Sequence, residues 1–266
     1  MSPGCDESVN SIADAYSSSS VRWQAGPGRI YDRLAEELVG TVDLEPASTW
    51  LDLGAGTGAA SRAASARGAD VVAVDVAFGM VRTPNAGWRS AVAADALALP
   101  FCDRSFDVVV AAFSLNHVAD PVSALREVRR VLRRGGRLAA SVYSSDDSHP
   151  VKAAVNTAAL ESGWVEPPWY RDLAASAMPL LATPERGYAA LRAAGLRGAA
   201  RIVRVAFPQL EPDDLIDWRL GLAQYASIHE SMPQSALAVV QARARELLGA
   251  APPPLVRAMV VLTAVS

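Results

Sequence analysis

The residues whose types and spacing could do chemistry begin with Asp52, Gly54, Gly56 and Gly58, inside TWLDLGAGTGAAS at 49–61. A short apolar run carrying one carboxylate breaks into glycines, then into small helix-forming residues. Glycine reaches backbone angles that side-chain-bearing residues reach only at a cost, and it lets a ligand approach the main chain closely. The free N–H groups in the first turn of the following helix point at whatever occupies the glycine turn. This pattern implies a nucleotide-type site. With Ala59 standing where a third glycine usually sits, it also fits a dinucleotide fingerprint, so neighbouring residues must decide.

Asp75, near the end of VVAVDV (71–76), lies 19 residues beyond Gly56. Nucleotide-binding α/β folds place there an acid that accepts hydrogen bonds from ribose hydroxyls. The competing reading is a strand-end acid facing water. Asp95 opens the loop after a short strand, where an acceptor could take the exocyclic amine of an adenine; a plain turn carboxylate is its alternative. His117 follows the strand SFDVVVAAF (105–113) and is the first candidate general base, against a structural role at a helix start.

The elements that must position these residues alternate. A helix runs from Gly28 with Gly40 as its C-cap, followed by a strand at 49–53. Next come a helix from Ala59 to Arg67 closed by Gly68, the strand 71–76, and a short helix from Phe78 interrupted near Pro84 and Gly87. A short strand at 90–93, the strand 105–113, a helix opened by Asp120-Pro121 and ended by Gly135-Gly136, and the strand RLAASVYS complete a doubly wound α/β pattern. Residues 1–20 read as frayed, with Ser17–Ser20 a polar low-complexity patch. Beyond 145 the alternation breaks down. Thr183-Pro184-Glu185 is a helix start, RIVRVAF (201–207) is strand-like, SALAVVQARARELL is an amphipathic helix, and LVRAMVVLTAV is a closing strand.

The bulk properties narrow the function. A chain of 266 residues, 51% hydrophobic and 20% charged, fits a globular enzyme. Net charge is −3 without a basic run, which disfavours a nucleic-acid partner. Cys5 and Cys102 stand far apart without metal-ligand spacing, and no apolar run reaches membrane-spanning length. The first residues lack the charged and apolar regions of a signal peptide, so cytoplasm is the expected compartment. Basic residues are almost all arginine, Lys152 being the only lysine, as a GC-rich genome would encode.

With these pieces placed, the chain resembles the class I S-adenosylmethionine-dependent methyltransferases, in particular the ubiquinone/menaquinone-biosynthesis-type small-molecule group. LDLGAGTG (51–58), VVAVDVAFGM (71–80), AADALALPFCDRSFDVVVAAFSLNHVADP (93–121) and ALREVRRVLRRGGRLAASVYS (124–144) carry the resemblance. It implies a seven-stranded, mostly parallel Rossmann-like sheet with a helical lid. Residues 1–48 would form an N-terminal helical segment, 49–144 the cofactor core, and 145–266 the lid insertions plus an antiparallel strand pair. It further implies that Gly54, Ala55 and Gly56 pass beneath the methionyl part of S-adenosylmethionine and that Asp75 holds the ribose. Val76 and Met80 would flank the adenine, Asp95 and Ala96 meet its edge, Phe113 and Ser114 line the methionyl side, and Tyr16 close over the cofactor.

The implied reaction is in-line methyl transfer to a small organic acceptor, of the kind met in secondary-metabolite biosynthesis. Other readings are a cofactor-binding protein catalysing a cyclisation or rearrangement, a non-catalytic binding protein, and a nicotinamide oxidoreductase. Positioning and water exclusion can supply much of the rate, so a base is optional. His149 and His229, the latter beside Glu230, are weaker base candidates. Asp146, Asp147 and His149 could be read as metal ligands, but no acid cluster at the strand ends joins them, so no metal is expected. Trp164, Trp169, Tyr170, Trp218 and Tyr225 suit an apolar, aromatic or polyketide-like acceptor, or simple packing of the lid.

Overall fold

The computed structural model describes residues 4–43, 47–82, 86–231 and 234–266. Its frame is a seven-stranded sheet of β1 (Thr49–Leu53), β2 (Asp70–Asp75), β3 (Ser90–Ala93), β4 (Phe106–Ala112), β5 (Leu132–Tyr143), β6 (Arg197–Phe207) and β7 (Leu255–Val265), in the order β3-β2-β1-β4-β5-β7-β6. The first five strands pair in parallel, and β7 runs antiparallel between β5 and β6. The expected α/β sheet and its antiparallel pair are both present. β1 and β4 are neighbours although β2 and β3 intervene in sequence, which opens a crevice at their C-terminal ends.

Apolar runs buried on both faces explain why the middle strands sit where they do. Val108, Val109, Val110 and Ala111 of β4 are buried, as are Trp50, Leu51 and Leu53 of β1. One face is covered by α2 (Gly28–Val39), α3 (Ala59–Ser65), α6 (Pro150–Glu161), α9 (Pro212–Leu220) and α11 (Gln234–Leu248). The other is covered by α5 (Pro121–Val131) and α8 (Pro184–Ala193). The start of α5 follows its sequence: Pro121 fills the first turn, and the Asp120 carboxylate accepts the Ser123 N–H at 3.0 Å. Thr183 caps α8 in the same way. The short helix α4 (Phe78–Val81) packs beside β2 and β3, while α7 (Pro168–Ser176) and α10 (Ala226–Ser231) pack on helical elements.

Two local expectations are corrected, and a third holds with a different backbone geometry. Residues 4–25 form a helix, α1, rather than a frayed segment. Its serines find partners: Ser19 Oγ donates to the Ala15 carbonyl at 2.8 Å, and Ser17 Oγ accepts the Gly79 N–H of α4 at 3.1 Å. Tertiary docking outweighs the low helix propensity of a serine run. Gly40 does cap α2, but with φ −59°, so its freedom to adopt positive φ is not used there. α5 ends at Val131, before the glycine pair, and Gly135-Gly136 lie within β5, which pairs with β4 through an irregular register between Phe106 and Val108. Pro84 lies outside the described residues; α4 itself ends at Val81. Among the described residues, no helix is long and apolar enough to cross a membrane.

Candidate active site

A cavity of about 820 Å³ opens at the C-terminal ends of β1, β2 and β4, and residues of the segments 145–180 (Asp147, Lys152, Tyr170, Met178) and 210–231 (Trp218, Arg219, Leu222, Gln224) contribute walls to it. The residues read from the sequence as cofactor-binding, and the first candidate base, line this one cavity: Tyr16, Gly54, Ala55, Gly56, Asp75, Val76, Met80, Asp95, Ala96, Phe113, Ser114 and His117, whereas the weaker base candidates His149 and His229 do not.

The glycine turn is shaped by close approach on one side and openness on the other. Gly54 has φ +68°, and a Cβ there would lie 2.2 Å from Ser114 Cβ. Gly56 has φ +54° with nothing near a Cβ, so its main chain borders free space. Asp75 is oriented by that turn: Oδ2 accepts the Gly56 N–H and Oδ1 accepts the Ala77 N–H, each at 2.8 Å. A carboxylate has about four acceptor positions, so both oxygens keep capacity for ligand hydroxyls. Burial raises the Asp75 pKa, opposed by those N–H groups. Beside it, Met80 is buried while Val76 and Leu97 are exposed apolar side chains bordering the cavity. Asp95 Oδ1 accepts the Leu97 N–H of its own turn at 2.9 Å.

Asp52 is fully buried beneath the turn. Its Oδ2 accepts the Ser61 hydroxyl at 2.6 Å, and its Oδ1 has no partner among the described residues. Desolvation pushes its pKa up to about 7. An ammonium or hydroxyl donor reaching this oxygen would meet a waiting acceptor.

β4 ends in Phe113, whose φ of 55° is rare for a bulky residue. Its N–H donates to the Ser141 carbonyl at 2.9 Å, and Ser114 Oγ donates to the Leu53 carbonyl at 2.6 Å, which fixes the reversal. The Phe113 ring lies 4.4 Å from that of Tyr143 and edge-on to Tyr31 at 5.5 Å, while Trp23 packs 4.8 Å from Tyr31. His117 follows in a short 3-10 turn. Tyr16 OH lies 3.0 Å from its Nε2, which joins α1 to the strand end. Desolvation lowers the His117 pKa to about 4, opposed by hydrogen bonds to the Phe113 and Ser114 backbone. The imidazole is therefore neutral at pH 7, and its Nε2 can accept the Tyr16 hydroxyl proton.

The other histidines do structural work. His149 accepts the Val151 N–H as cap of α6 and donates to the Pro253 carbonyl, and His229 donates to the Leu220 carbonyl at 3.0 Å. Glu230 does not orient His229; it pairs with Arg22. Asp147 is an ion-pair centre, with Oδ1 accepting from Arg257 Nε at 3.0 Å and Oδ2 accepting from Arg257 at 2.8 Å and from Lys152 Nζ at 2.7 Å. Of the lid aromatics, Tyr170 and Trp218 line the cavity. Trp164 and Tyr225 pack on each other at 4.9 Å, and Trp169 borders a separate depression.

Sequence reasoning missed Trp23, Tyr31, Tyr143, Lys152, Arg219, Gln224 and Arg257, all of which line the cavity. Arg257 carried one signal: it is a lone charge inside the apolar strand LVRAMVVLTAV, and it is buried there. Its guanidinium lies 4.2 Å from the Tyr143 ring centroid and 4.6 Å from that of Trp218.

Comparison with known proteins supplies the remaining findings. Residues 51–140 match a family described as a methyltransferase domain. The chain is 36% identical to a demethylmenaquinone methyltransferase of Renibacterium salmoninarum over 146 residues, covering 53% of this chain and 59% of that protein. With the protein of the same name from Streptomyces avermitilis it shares 37% identity over 148 residues, 55% of this chain and 61% of that one. The chain thus spans about three-fifths of the curated relatives it matches. A putative methyltransferase of known structure from Bacillus halodurans shares the fold, with a TM-score of 0.55 and 19% identity over 87% of this chain and 97% of that one.

Proposed function

We propose, from the premise that this chain carries a class I S-adenosylmethionine-dependent methyltransferase domain, that it transfers a methyl group from S-adenosylmethionine to a small conjugated acceptor. The observation that carries the reading is a single cavity in which a glycine turn and ribose-type acid share walls with an aromatic chamber. The residues present fit the cofactor. Asp75 has acceptor capacity for ribose hydroxyls, the main chain at Gly56 faces open space, Val76, Met80 and Leu97 offer apolar surface for an adenine, and Asp52 Oδ1 awaits a donor. When bound, S-adenosylmethionine supplies an electrophilic methyl group.

The chain's own residues bind, orient and exclude water. Phe113, Tyr31, Tyr143 and Trp218 line the cavity with aromatic rings set at angles to one another, which suits an aromatic or quinone-like acceptor, consistent with the name of the curated relatives. Tyr16 on α1 roofs the cavity through its bond to His117. Burial raises the Tyr16 pKa, so its hydroxyl stays protonated; where the acceptor must lose a proton, Tyr16 can take it up while passing its own hydroxyl proton to the neutral His117 Nε2. On this reading residues 49–144 hold the cofactor, Tyr16 of the N-terminal segment closes over it, and 145–266 enclose the acceptor.

Calorimetric titration of S-adenosylmethionine into wild type and Asp75→Ala tests the proposal. Wild type binds, and the variant loses about 1–3 kcal/mol with its hydroxyl contacts. Isotope-labelled methyl transfer onto aromatic acceptors then reports turnover. Failure of intact wild type to bind sinks the reading.

A further inference from the structure

The chamber beyond the glycine turn is unusual in its charge. Arg257 and Lys152 share a single carboxylate, that of Asp147, and Arg219 has no ion-pair partner among the described residues although its surface is only 8% exposed. Among the described residues, three cations of this wall therefore have one paired carboxylate between them. A buried, uncompensated guanidinium is costly, because nothing repays the water it gave up. Its surroundings compensate it only in part: the Tyr225 ring lies 5.4 Å from its Cζ and the Tyr170 and Tyr225 hydroxyls stand beside it, but its Nε has no partner and no carboxylate pairs with it among the described residues.

The unmatched hydrogen-bonding groups point the same way. Trp218 Nε1, Arg219 Nε and Gln224 Nε2 are buried donors without partners among the described residues, and all three side chains belong to the cavity wall. They fall close together in sequence, at the end of α9 and the turn that follows it. Buried donors of this kind are almost always satisfied in native proteins. A cluster of donors with excess positive charge is matched by a planar group rich in acceptors, and guanidinium to carboxylate is the strong pairing of this type.

We propose that the acceptor methylated at this site is an aromatic or conjugated carboxylic acid whose carboxylate is received by Arg219, assisted by Gln224 and Trp218. The inference rests on the methyl-transfer reading and names its substrate class. A carboxylate is also present on the methionyl end of the cofactor. Position along the cavity distinguishes the two sources: the residues assigned to the cofactor stand on and after β1, β2 and β4, whereas Arg219 stands on α9, which packs with α6 and brings its Trp218 to Arg257 of β7. None of the three donors falls within the matched stretch 51–140, so the shared domain does not fix this end of the cavity.

The test uses the full chain and three ligands: S-adenosylhomocysteine, 2-naphthoate and its uncharged isostere 2-naphthamide. With the protein saturated by S-adenosylhomocysteine, 2-naphthoate binds at least tenfold more tightly than 2-naphthamide. Arg219→Gln abolishes that preference while changing S-adenosylhomocysteine affinity less than twofold, which also certifies that the variant is folded. Should the variant not fold, the acid-to-amide ratio in wild type still decides. Equal affinities, no binding of the acid, or a variant that loses S-adenosylhomocysteine instead of naphthoate each overturn the proposal, the last by assigning Arg219 to the cofactor. Failure of wild type to bind S-adenosylhomocysteine at all is a different result: it removes the methyl-transfer reading itself.

Discussion

Asp52→Asn should change how stability depends on pH, in a direction set by burial. The folded carboxyl is pushed from its ordinary 3.8 up to about 7, so between these values the folded protein holds a proton that the unfolded chain has released. The contribution of this group is therefore complete below about pH 4 and is lost as pH rises to about 7. At about 1.4 kcal/mol per pH unit, the loss between pH 5 and 8 is about 3 kcal/mol. Asparagine can keep the Ser61 bond and cannot ionise. Urea unfolding at pH 5 and pH 8 should thus show the variant gaining about 3 kcal/mol relative to wild type between the two conditions. His117 acts with the opposite sign, its lowered pKa adding stability as pH rises from about 4 to 6.5. It cancels in the comparison because both proteins retain it. Parallel stability profiles for wild type and variant would show that Asp52 is already ionised in the fold, and the reasoning would fail. The same group gives a second readout. If Asp52 Oδ1 meets the cofactor ammonium, binding near pH 7 releases a proton from wild type but not from the variant, measurable by calorimetry in buffers of different ionisation enthalpy.

Other perturbations probe separate parts of the molecule. His117→Gln should remove the rise in stability between about pH 4 and 6.5, a change of about 2–3 kcal/mol in urea unfolding, since a histidine held neutral destabilises the fold as acid charges the unfolded chain. Asp147→Asn leaves Arg257 and Lys152 sharing no carboxylate and should cost about 3–5 kcal/mol by thermal unfolding; an effect below about 1 kcal/mol would mean the pair is solvated. Gly54→Ala and Gly56→Ala form a contrast. The first drives a Cβ to 2.2 Å from Ser114 Cβ and should destabilise by more than about 2 kcal/mol, while the second finds open space, loses about 1 kcal/mol to its positive φ, and chiefly weakens cofactor binding. Tyr16→Phe breaks the bond to His117 and should raise the S-adenosylhomocysteine dissociation rate several-fold in stopped-flow measurements with little change in stability.

The nucleotide half of the cavity was legible because it is built from consecutive backbone. Gly54, Ala55 and Gly56 form one turn, and Asp75 closes it from the next strand, 19 residues on, so a local pattern encodes the geometry. The acceptor half was not legible for the complementary reason. Lys152, Arg219 and Arg257 come from α6, α9 and β7, and they meet only because β7 inserts between β5 and β6. An arginine such as Arg219 in DWRL reads in sequence as part of a solvated face; only packing shows it buried. The frayed reading of residues 1–20 failed, from residue 4 on, through the same nonlocality. Ser17 gains an Asn-like role as acceptor for the Gly79 N–H, a contact with α4 that no propensity scale contains.

Asp52 and Arg219 stand at the two ends of this division, and each is a buried charge-bearing group lacking part of its complement among the described residues. Asp52 can relieve its cost by holding a proton, which its pKa of about 7 allows. Arg219 has no such escape, since a guanidinium stays protonated at any working pH. The two ends should therefore respond differently to their ligands. Occupation of the Asp52 end exchanges a proton for a donor and is pH-dependent near neutrality. Occupation of the Arg219 end supplies a missing anion, and its affinity should be nearly flat from pH 6 to 9, above the titration of the bound acid and below that of the guanidinium. Titrating naphthoate across this range, with S-adenosylhomocysteine saturating, separates the two cases. A naphthoate affinity that follows a group near pH 7 would place the acid beside Asp52 and dissolve the division of the cavity into two oppositely charged halves.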